Sequence, residues 1–405
     1  MSSTRTKRDQ FNQLSVLIGL NFVDMLGSLI VIPLLPFYAL HFHATPETVG
    51  WLIASFSIAQ LVAAPLWGRV SDRYGRRPAL LIGLLASSMA FLVFGLADSL
   101  WLLFLSRVVQ GLGGGTTGVA QAYVSDTVER EHRARALGWL SAATNAGVII
   151  GPGIASLSTH WGSQAPGFVA SALCFVNVVA AWIWLPESRP ASARVASTTK
   201  RPPVWHAAAN VFLNPAGEAE RLIWVYGVGM LAFSLLTAVL ALWLNARFGV
   251  TEKTIGFFFM YYGGLSFVMR SVFLGPVVDR IGEVGALRVG TILLAVGMLL
   301  YPLVPTVWLM AVVIPFVPIG TALMFPAITS LLSHSVDSSE LGTMMGVAQT
   351  FAGSARVLAP ILGTIAFQRL GVSSPFILGG FIVAMVSWVT FRHIRIVAAP
   401  AESVV

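Results

Sequence analysis

Charge and cysteine are what this chain of 405 residues has least of. Charged residues make up 10% and hydrophobic ones 56%, with a mean hydropathy of +0.80, whereas soluble domains carry about 25% charged residues. A soluble protein of this size could not cover its surface with so little charge. The single cysteine, Cys174, sits in an apolar run, which excludes a disulfide framework and a thiolate metal site. There is no Gly-x-x-x-x-Gly-Lys-Ser/Thr loop to cradle a nucleotide and no His-Glu-x-x-His helix to hold zinc. No polar stretch is long enough to form a domain that hydrolyses ATP. The expectation is a protein that is not an enzyme and uses no cofactor or metal.

What the chain has in abundance is apolar runs of about 20 residues, the length of a membrane-spanning helix. Twelve are expected, near 14–40, 49–70, 79–97, 99–124, 136–158, 166–186, 221–246, 254–278, 286–304, 307–333, 341–368 and 373–392. The first is too long for a signal peptide and lacks a small-residue exit, so it is expected to stay as the first helix. A Gly-x-Gly-x-x-Gly at Gly113, Gly115 and Gly118 lies inside the fourth run. A dinucleotide fingerprint needs a strand before it, so these read as glycines that let neighbouring helices approach.

Of the 25 Lys and Arg, 19 fall in the termini and even-numbered loops. Only Arg247, Lys253 and Arg369 fall in odd loops, and Arg107, Arg270 and Arg356 lie within spans. The positive-inside rule then puts both termini in the cytoplasm. The net charge of +8 reflects this bias and calls for no nucleic-acid partner. Trp51, Trp101, Trp161, Trp243 and Trp308 fall near outer helix ends, and Trp67, Trp139, Trp182, Trp184, Trp224 and Trp388 near inner ones, as interfacial anchors do.

The longest polar interval, 187–220, reads as a cytoplasmic linker with a short interfacial helix from Trp205 to Leu213. It separates an N-terminal half, 1–186, from a C-terminal half, 221–405. The halves repeat: Gly68, Asp72, Arg73 and Gly75 recur 207 positions on as Gly275, Asp279, Arg280 and Gly282. Ser125, Val128, Gly138 and Pro152 match Ser333, Val336, Gly346 and Pro360 at an offset of 208. Two six-helix halves imply a pseudo-symmetric transporter whose substrate site lies between them near the bilayer midplane.

These residues resemble the major facilitator superfamily over essentially the whole chain. Gly68-Arg-Val-Ser-Asp72-Arg73-Tyr-Gly75-Arg76-Arg77-Pro78 is similar to the family's loop motif between helices two and three. Arg107-Val-Val-Gln110-Gly111 resembles its helix-four motif, and Gly147-x-x-x-Gly151-Pro152 its helix-five antiporter motif, although Ala155 and Ser156 stand where two glycines are usual. Leu26-Gly27 followed by Pro33 and Pro36 looks like the helix-one pattern of twelve-helix drug:proton exporters such as the tetracycline type. The resemblance implies an all-α membrane fold of two six-helix bundles. It also places Asp72 near the start of helix eleven, around Gly342, as a cytoplasmic latch completed by Gly68, Arg73, Gly75, Arg76 and Arg77, with Asp126 or Glu129 as partners for the arginines. Glu283 stands where Arg76 would recur, which implies a weaker latch in the second half.

Asp24 is the one acid deep in a span. A charged carboxylate at mid-membrane costs about 3 kcal/mol on insertion scales, so it needs a reason to be there. Asn21, Asp24 and Ser28 share one helical face, as the wall of a wetted cavity would. Arg107 lies about 12 Å from the outer end of helix four and Asp24 about 15 Å from the inner end of helix one, counting 1.5 Å per residue. Their similar depth suggests a hydrogen-bonded pair that holds Asp24 ionised until movement or substrate frees it to take a proton. Arg356 sits near mid-depth in helix eleven with no acid left in the spans to meet it, so it either bonds to backbone and water or receives an anionic substrate group. The expected function is proton-coupled export of small hydrophobic or amphipathic compounds by alternating access. The partners are substrate, protons and the lipid bilayer, and the chain acts as a monomer in a bacterial inner membrane. An exporter of a lipid or endogenous organic anion on the same fold is the alternative, and a non-transporting scaffold the third.

Overall fold

The computed structural model describes residues 7–129, 131–188, 204–213, 217–337 and 340–393. The end residues Arg5 and Arg395 and the linker residues 189–203 and 214–216 lie outside the described residues. Every regular element among the described residues is helical. Hydrocarbon offers no partner for N–H and C=O groups, so a crossing segment must bond to itself, and an α-helix does so within one segment.

The elements are α1 (Lys7–Val31), α2 (Leu35–His41), α3 (Pro46–Tyr74), α4 (Arg76–Gly95), α5 (Leu100–Gly113), α6 (Thr116–Thr127), α7 (Arg133–Ser158) and α8 (Ala165–Trp184). They continue as α9 (Val204–Leu213), α10 (Glu218–Phe248), α11 (Glu252–Val268), α12 (Leu274–Leu300), α13 (Val307–Val313), α14 (Phe316–Ser335), α15 (Leu341–Leu370) and α16 (Ser374–His393). Ten stretches are long and apolar enough to cross a membrane. One of them, 252–303, has 52 residues, about 78 Å of helix against a hydrocarbon core of about 30 Å. It is interrupted by a kink at Gly282, whose φ of 70° lies in the left-handed region that glycine reaches without strain. Leu100 to Thr127 is also of crossing length but is interrupted at Gly114 and Gly115. Both stretches are consistent with the twelve crossings expected from the sequence.

The interruptions follow the sequence. α1 stops at Val31 and α2 restarts at Leu35, so Pro33 and Pro36 break the first crossing where their missing N–H groups and fixed φ require it. The loop turn before α4 is made by Gly75, with φ 112°, and its repeat 207 positions on is Gly282. The amphipathic α9 runs from Val204 to Leu213, and Trp224 of α10 holds it by donating from Nε1 to the Val211 carbonyl at 3.2 Å and by packing on Phe212.

The chain divides into two compact units. One contains 1–201, 238–264 and 360–372, and the other 202–237, 265–359 and 373–405. In the first, α1 packs on α7 and α8, α4 on α5 and α8, and α3 on α5. Apolar residues of α1, α4, α6, α7 and α8, among them Leu17, Leu80, Leu84, Tyr123, Leu140 and Val178, form a buried core in it. In the second, α12 packs on α14 and α16.

Backbone-to-backbone packing at small residues sets the helix contacts. A Cβ placed on Gly147 would stand 3.0 Å from the Leu26 nitrogen and the Phe22 oxygen, and one on Gly151 would stand 2.8 Å from Leu29 Cβ. α7 thus lies against the backbone of α1, as membrane helices do without a hydrophobic drive to associate. At Gly83 of α4 and Gly113 of α5, a Cβ on either would be 3.0 Å from the other's carbonyl oxygen. The same reciprocal contact recurs 207 positions on, between Gly290 and Gly320 of α12 and α14, at 2.8 Å. The repeat read in the loops therefore extends into the packing of the helices.

Two sequence expectations are corrected. Gly118 has nothing within 4 Å of a built Cβ and is not a packing glycine. Trp243 is not an interfacial anchor, because it is buried, edge-on to Phe248. Trp101, Trp161 and Trp308 are at least 74% exposed, as anchors should be.

Replacing Gly151 by leucine should push α1 from α7 at a cost of about 1–3 kcal/mol, whereas Gly118→Ala should leave stability equal or raised. Thermal unfolding of the purified variants in detergent checks the contrast, and equal melting temperatures would contradict the contact.

Candidate functional site

The face of α1 that carries Asn21, Asp24 and Ser28 is tied to three neighbouring helices. Asn21 donates from Nδ2 to Thr144 Oγ1 at 2.5 Å and to the Leu140 carbonyl at 3.2 Å, both on α7. Ser28 Oγ accepts from Gln110 Nε2 of α5 at 3.1 Å. Asp24, between them, has the hydroxyl of Ser87 on α4 beside its carboxylate. Its Oδ1 is buried and has no hydrogen-bond partner. The carboxylate lines a cavity of about 20 Å³ together with Asn21 and Thr116, the first residue of α6.

Arg107 is 2% exposed on α5, with its guanidinium carbon 5.7 Å from the centre of the Phe94 ring and its Nε and one terminal nitrogen without partners. The expected Asp24–Arg107 pair is not formed. The reason lies along α4: Phe94 is seven residues beyond Ser87, about 10 Å nearer the outer end. The arginine reaches outward to an aromatic face while the acid turns to the Ser87 level. Arg356 is on α15 in the second unit, with an exposed side chain.

The loop motif is built into a polar cluster within the first unit. Arg76 is buried and donates from Nε to Asp126 Oδ2 at 2.9 Å, and from one terminal nitrogen to Ser71 Oγ at 2.7 Å and Asp72 Oδ1 at 2.9 Å. Glu187, just after α8, accepts the backbone N–H groups of Arg76 at 2.9 Å and Arg77 at 3.3 Å. It thereby caps α4 and meets the positive end of its dipole. A Cβ on Gly75 would collide with that carboxylate, so the turn needs glycine for space as well as for its φ. Arg77 donates to the Trp182 carbonyl at 2.5 Å, and Arg73 lies over the Tyr74 ring at 5.5 Å. Gly68 has open space where a side chain would be.

In the second copy the polarity is inverted. Glu283, at the place of Arg76, accepts from Ser330 and lies 3.5 Å from His334 Nδ1. His334 is itself 208 positions after Asp126. A cation facing an acid has become an acid facing a histidine, so the second loop has a pair of its own that depends on the imidazole being protonated.

Ser156, where the helix-five motif usually has glycine, accepts the Gly256 N–H at 2.8 Å and donates to the Glu252 carbonyl at 3.0 Å. Gly256 in turn packs on the Pro152 carbonyl so closely that no Cβ would fit. The departure from the motif supplies two hydrogen bonds between α7 and α11. Sequence reasoning passed over Ser87, Thr116, Glu187 and His334. Thr116 could have been found as the first polar side chain after three glycines, and His334 by extending the 208-residue offset by one position.

The sequence pattern of the Major Facilitator Superfamily matches residues 17–282 and 222–403. Multidrug resistance protein 2 of Bacillus subtilis (strain 168) is 28% identical over 371 residues, 91% of this chain and 92% of that one. Tetracycline resistance protein, class B, of Escherichia coli is 25% identical over 357 residues, 87% of this chain and 88% of that one. The crystal structure of the human organic anion transporter MFSD10 (TETRAN) superposes with a TM-score of 0.69 at 19% identity, covering 94% of this chain and 99% of that one, which speaks for the fold. Since the family pattern spans both halves and the helix packing repeats at the 207-residue step of the loops, the chain belongs to the Major Facilitator Superfamily and is a multi-pass membrane transporter.

Proposed function

We propose that this transporter exports small hydrophobic or amphipathic compounds in exchange for protons, by alternating access of two six-helix bundles, 1–186 and 221–405, joined by the 187–220 linker. The carrying observation is the partly buried carboxyl group of Asp24 in the first crossing, whose Oδ1 is buried and satisfied by no protein group. An ionisable group kept at that depth with one oxygen unsatisfied is costly. A proton taken and given up there is the use that repays it. The multidrug and tetracycline resistance relatives are in keeping with drug export. No part of the reading calls for an enzyme or a cofactor.

In this reading Asp24 carries the proton, and Asn21 and Ser28 fix the helix face that presents it. Arg107 is a buried positive charge whose position relative to Asp24 changes as the helices rearrange. Gly147, Gly151 and Pro152 keep α7 close enough to α1 to transmit that rearrangement. Asp72, with Arg76 as its fixed neighbour, latches the cytoplasmic side in the outward-open state by meeting the first amides of α15 near Gly342. The chain works as a monomer in a bacterial inner membrane with both termini in the cytoplasm. Export of a lipid or endogenous organic anion is the second reading, favoured by the exposed Arg356 on a membrane-crossing helix.

Asp24→Asn should lower dye export driven by an imposed pH gradient in proteoliposomes by more than about tenfold, the equivalent of 1.4 kcal/mol, while dye binding persists. A variant that still exports uphill removes Asp24 from coupling. Arg76→Gln should destabilise the protein by about 1–3 kcal/mol because it removes the buried guanidinium that Ser71, Asp72 and Asp126 share, while Arg73→Gln should stay within about 0.5 kcal/mol. Matching melting temperatures for the two would argue against the cluster. Asp72→Ala should reduce labelling of cysteines introduced on the outward-facing side, and unchanged labelling would contradict the latch.

A further inference from the structure

Two facts about Asp24 do not suit a dry site. Its Oδ1 is buried and unpartnered, and an unsatisfied buried polar group costs about 1–3 kcal/mol, more when charged. Against the same side chain opens a cavity of about 20 Å³. Space that water-sized probes can enter beside a carboxyl group admits water.

Such a water needs polar partners beyond the carboxylate, and the wall opposite supplies them. α5 ends at Gly113 and α6 begins at Thr116, so the N–H groups of the first turn of α6 have no acceptor within their own helix. Gly115, at the cap position, makes no side-chain bond to them. The buried Thr116 side chain lines the cavity. Asn21 lines it too, but its Nδ2 is committed to α7. The remaining walls, Leu17, Leu20, Leu80, Leu84 and Ala120, are apolar. They leave Asp24, the Asn21 side-chain oxygen and the start of α6 as the places where a water can bond.

We propose that the cavity is a hydration site: one water bonds to Asp24 Oδ1 and is held by the Thr116 hydroxyl, which makes Thr116 the positioning residue of the proton carrier. The site's role in coupling rests on the reading of Asp24 given above; the hydration itself does not. Water and a threonine hydroxyl each donate and accept. The same pair therefore serves a carboxylate, which only accepts, and a carboxylic acid, which also donates, with no backbone movement between the two. The groups around Asp24 leave this task to the water. α4 and α7 present Ser87 and Thr144, which do not titrate in the working range. α8 brings Cys174, whose sulfur packs on Gly27 one turn away on α1, and Arg107 of α5 is engaged with Phe94.

The test uses the full-length protein with Thr116→Val, Thr116→Ser, Ala120→Leu and Asp24→Asn. A high-resolution structure of the unsubstituted protein should show an ordered water about 2.7–3.2 Å from Asp24 Oδ1. The water should remain in Thr116→Ser and be lost in Thr116→Val, which keeps the side-chain shape, and in Ala120→Leu, which fills the space. The pH profile of dye export should shift by about one pH unit in Thr116→Val, about 1.4 kcal/mol, and return in Thr116→Ser. An Oδ1 bonded directly to protein, or a water that survives in Thr116→Val, overturns the proposal. An unshifted profile with the water lost overturns the positioning role. A threonine-dependent water in a protein whose Asp24→Asn variant exports normally would sink the coupling reading and leave the hydration site standing.

Discussion

A carboxylate inside hydrocarbon must be bonded, neutralised or kept wet, and the first unit is arranged around that demand. The face of α1 that carries Asp24 is fixed on one side by Asn21 to α7 and on another by Gln110 to Ser28. Gly147 and Gly151 bring the α7 backbone against α1. The break at Gly114 and Gly115 starts a new helix at Thr116 beside the acid. Helix termini inside the bilayer are tolerated where they line a polar space. The interrupted fourth crossing and the acid of the first thus account for one another.

The second principle is repetition with one reversed detail. The turn glycines Gly75 and Gly282 and the paired contacts Gly83–Gly113 and Gly290–Gly320 stand 207 residues apart. Backbone contact leaves no room for drift, so these positions keep their geometry in both copies. Side-chain charge is freer to change as long as the pair remains complementary. Arg76 facing Asp126 becomes Glu283 facing His334, around a buried arginine in the first copy and at an exposed turn in the second. The first is held by a permanent cation and the second by one that exists only when protonated.

The fold was legible because a bilayer admits few solutions. Runs of apolar residues, loop arginines and Pro33 with Pro36 were enough to place most of the helices and the break in the first crossing. The loop motif was legible as far as an arginine meeting Asp126 or Glu129, but not that Arg76 and Asp126 are the pair. What sequence could not supply was direction. Counting 1.5 Å per residue placed Asp24 and Arg107 at similar depth, yet Arg107 points outward to Phe94 and Asp24 toward Ser87 and α6. Depth from helix ends assumes straight, level helices and ignores where a long side chain reaches. The same limit hid Trp243, which sits at a helix end but faces inward against Phe248. It also made Gly118 look like its packing neighbours Gly113 and Gly115. Thr116 and Ser87 are ordinary residues in sequence, and only the fold sets them beside an acid.

The central claim is that the proton exchanged for substrate is carried by the Asp24 carboxyl group. Adding ethidium to purified, unbuffered protein containing a pH indicator measures this directly. The account predicts proton release on ethidium binding by the unsubstituted protein and none by Asp24→Asn. Equal release from both, with ethidium bound equally, would place the proton elsewhere and contradict the account.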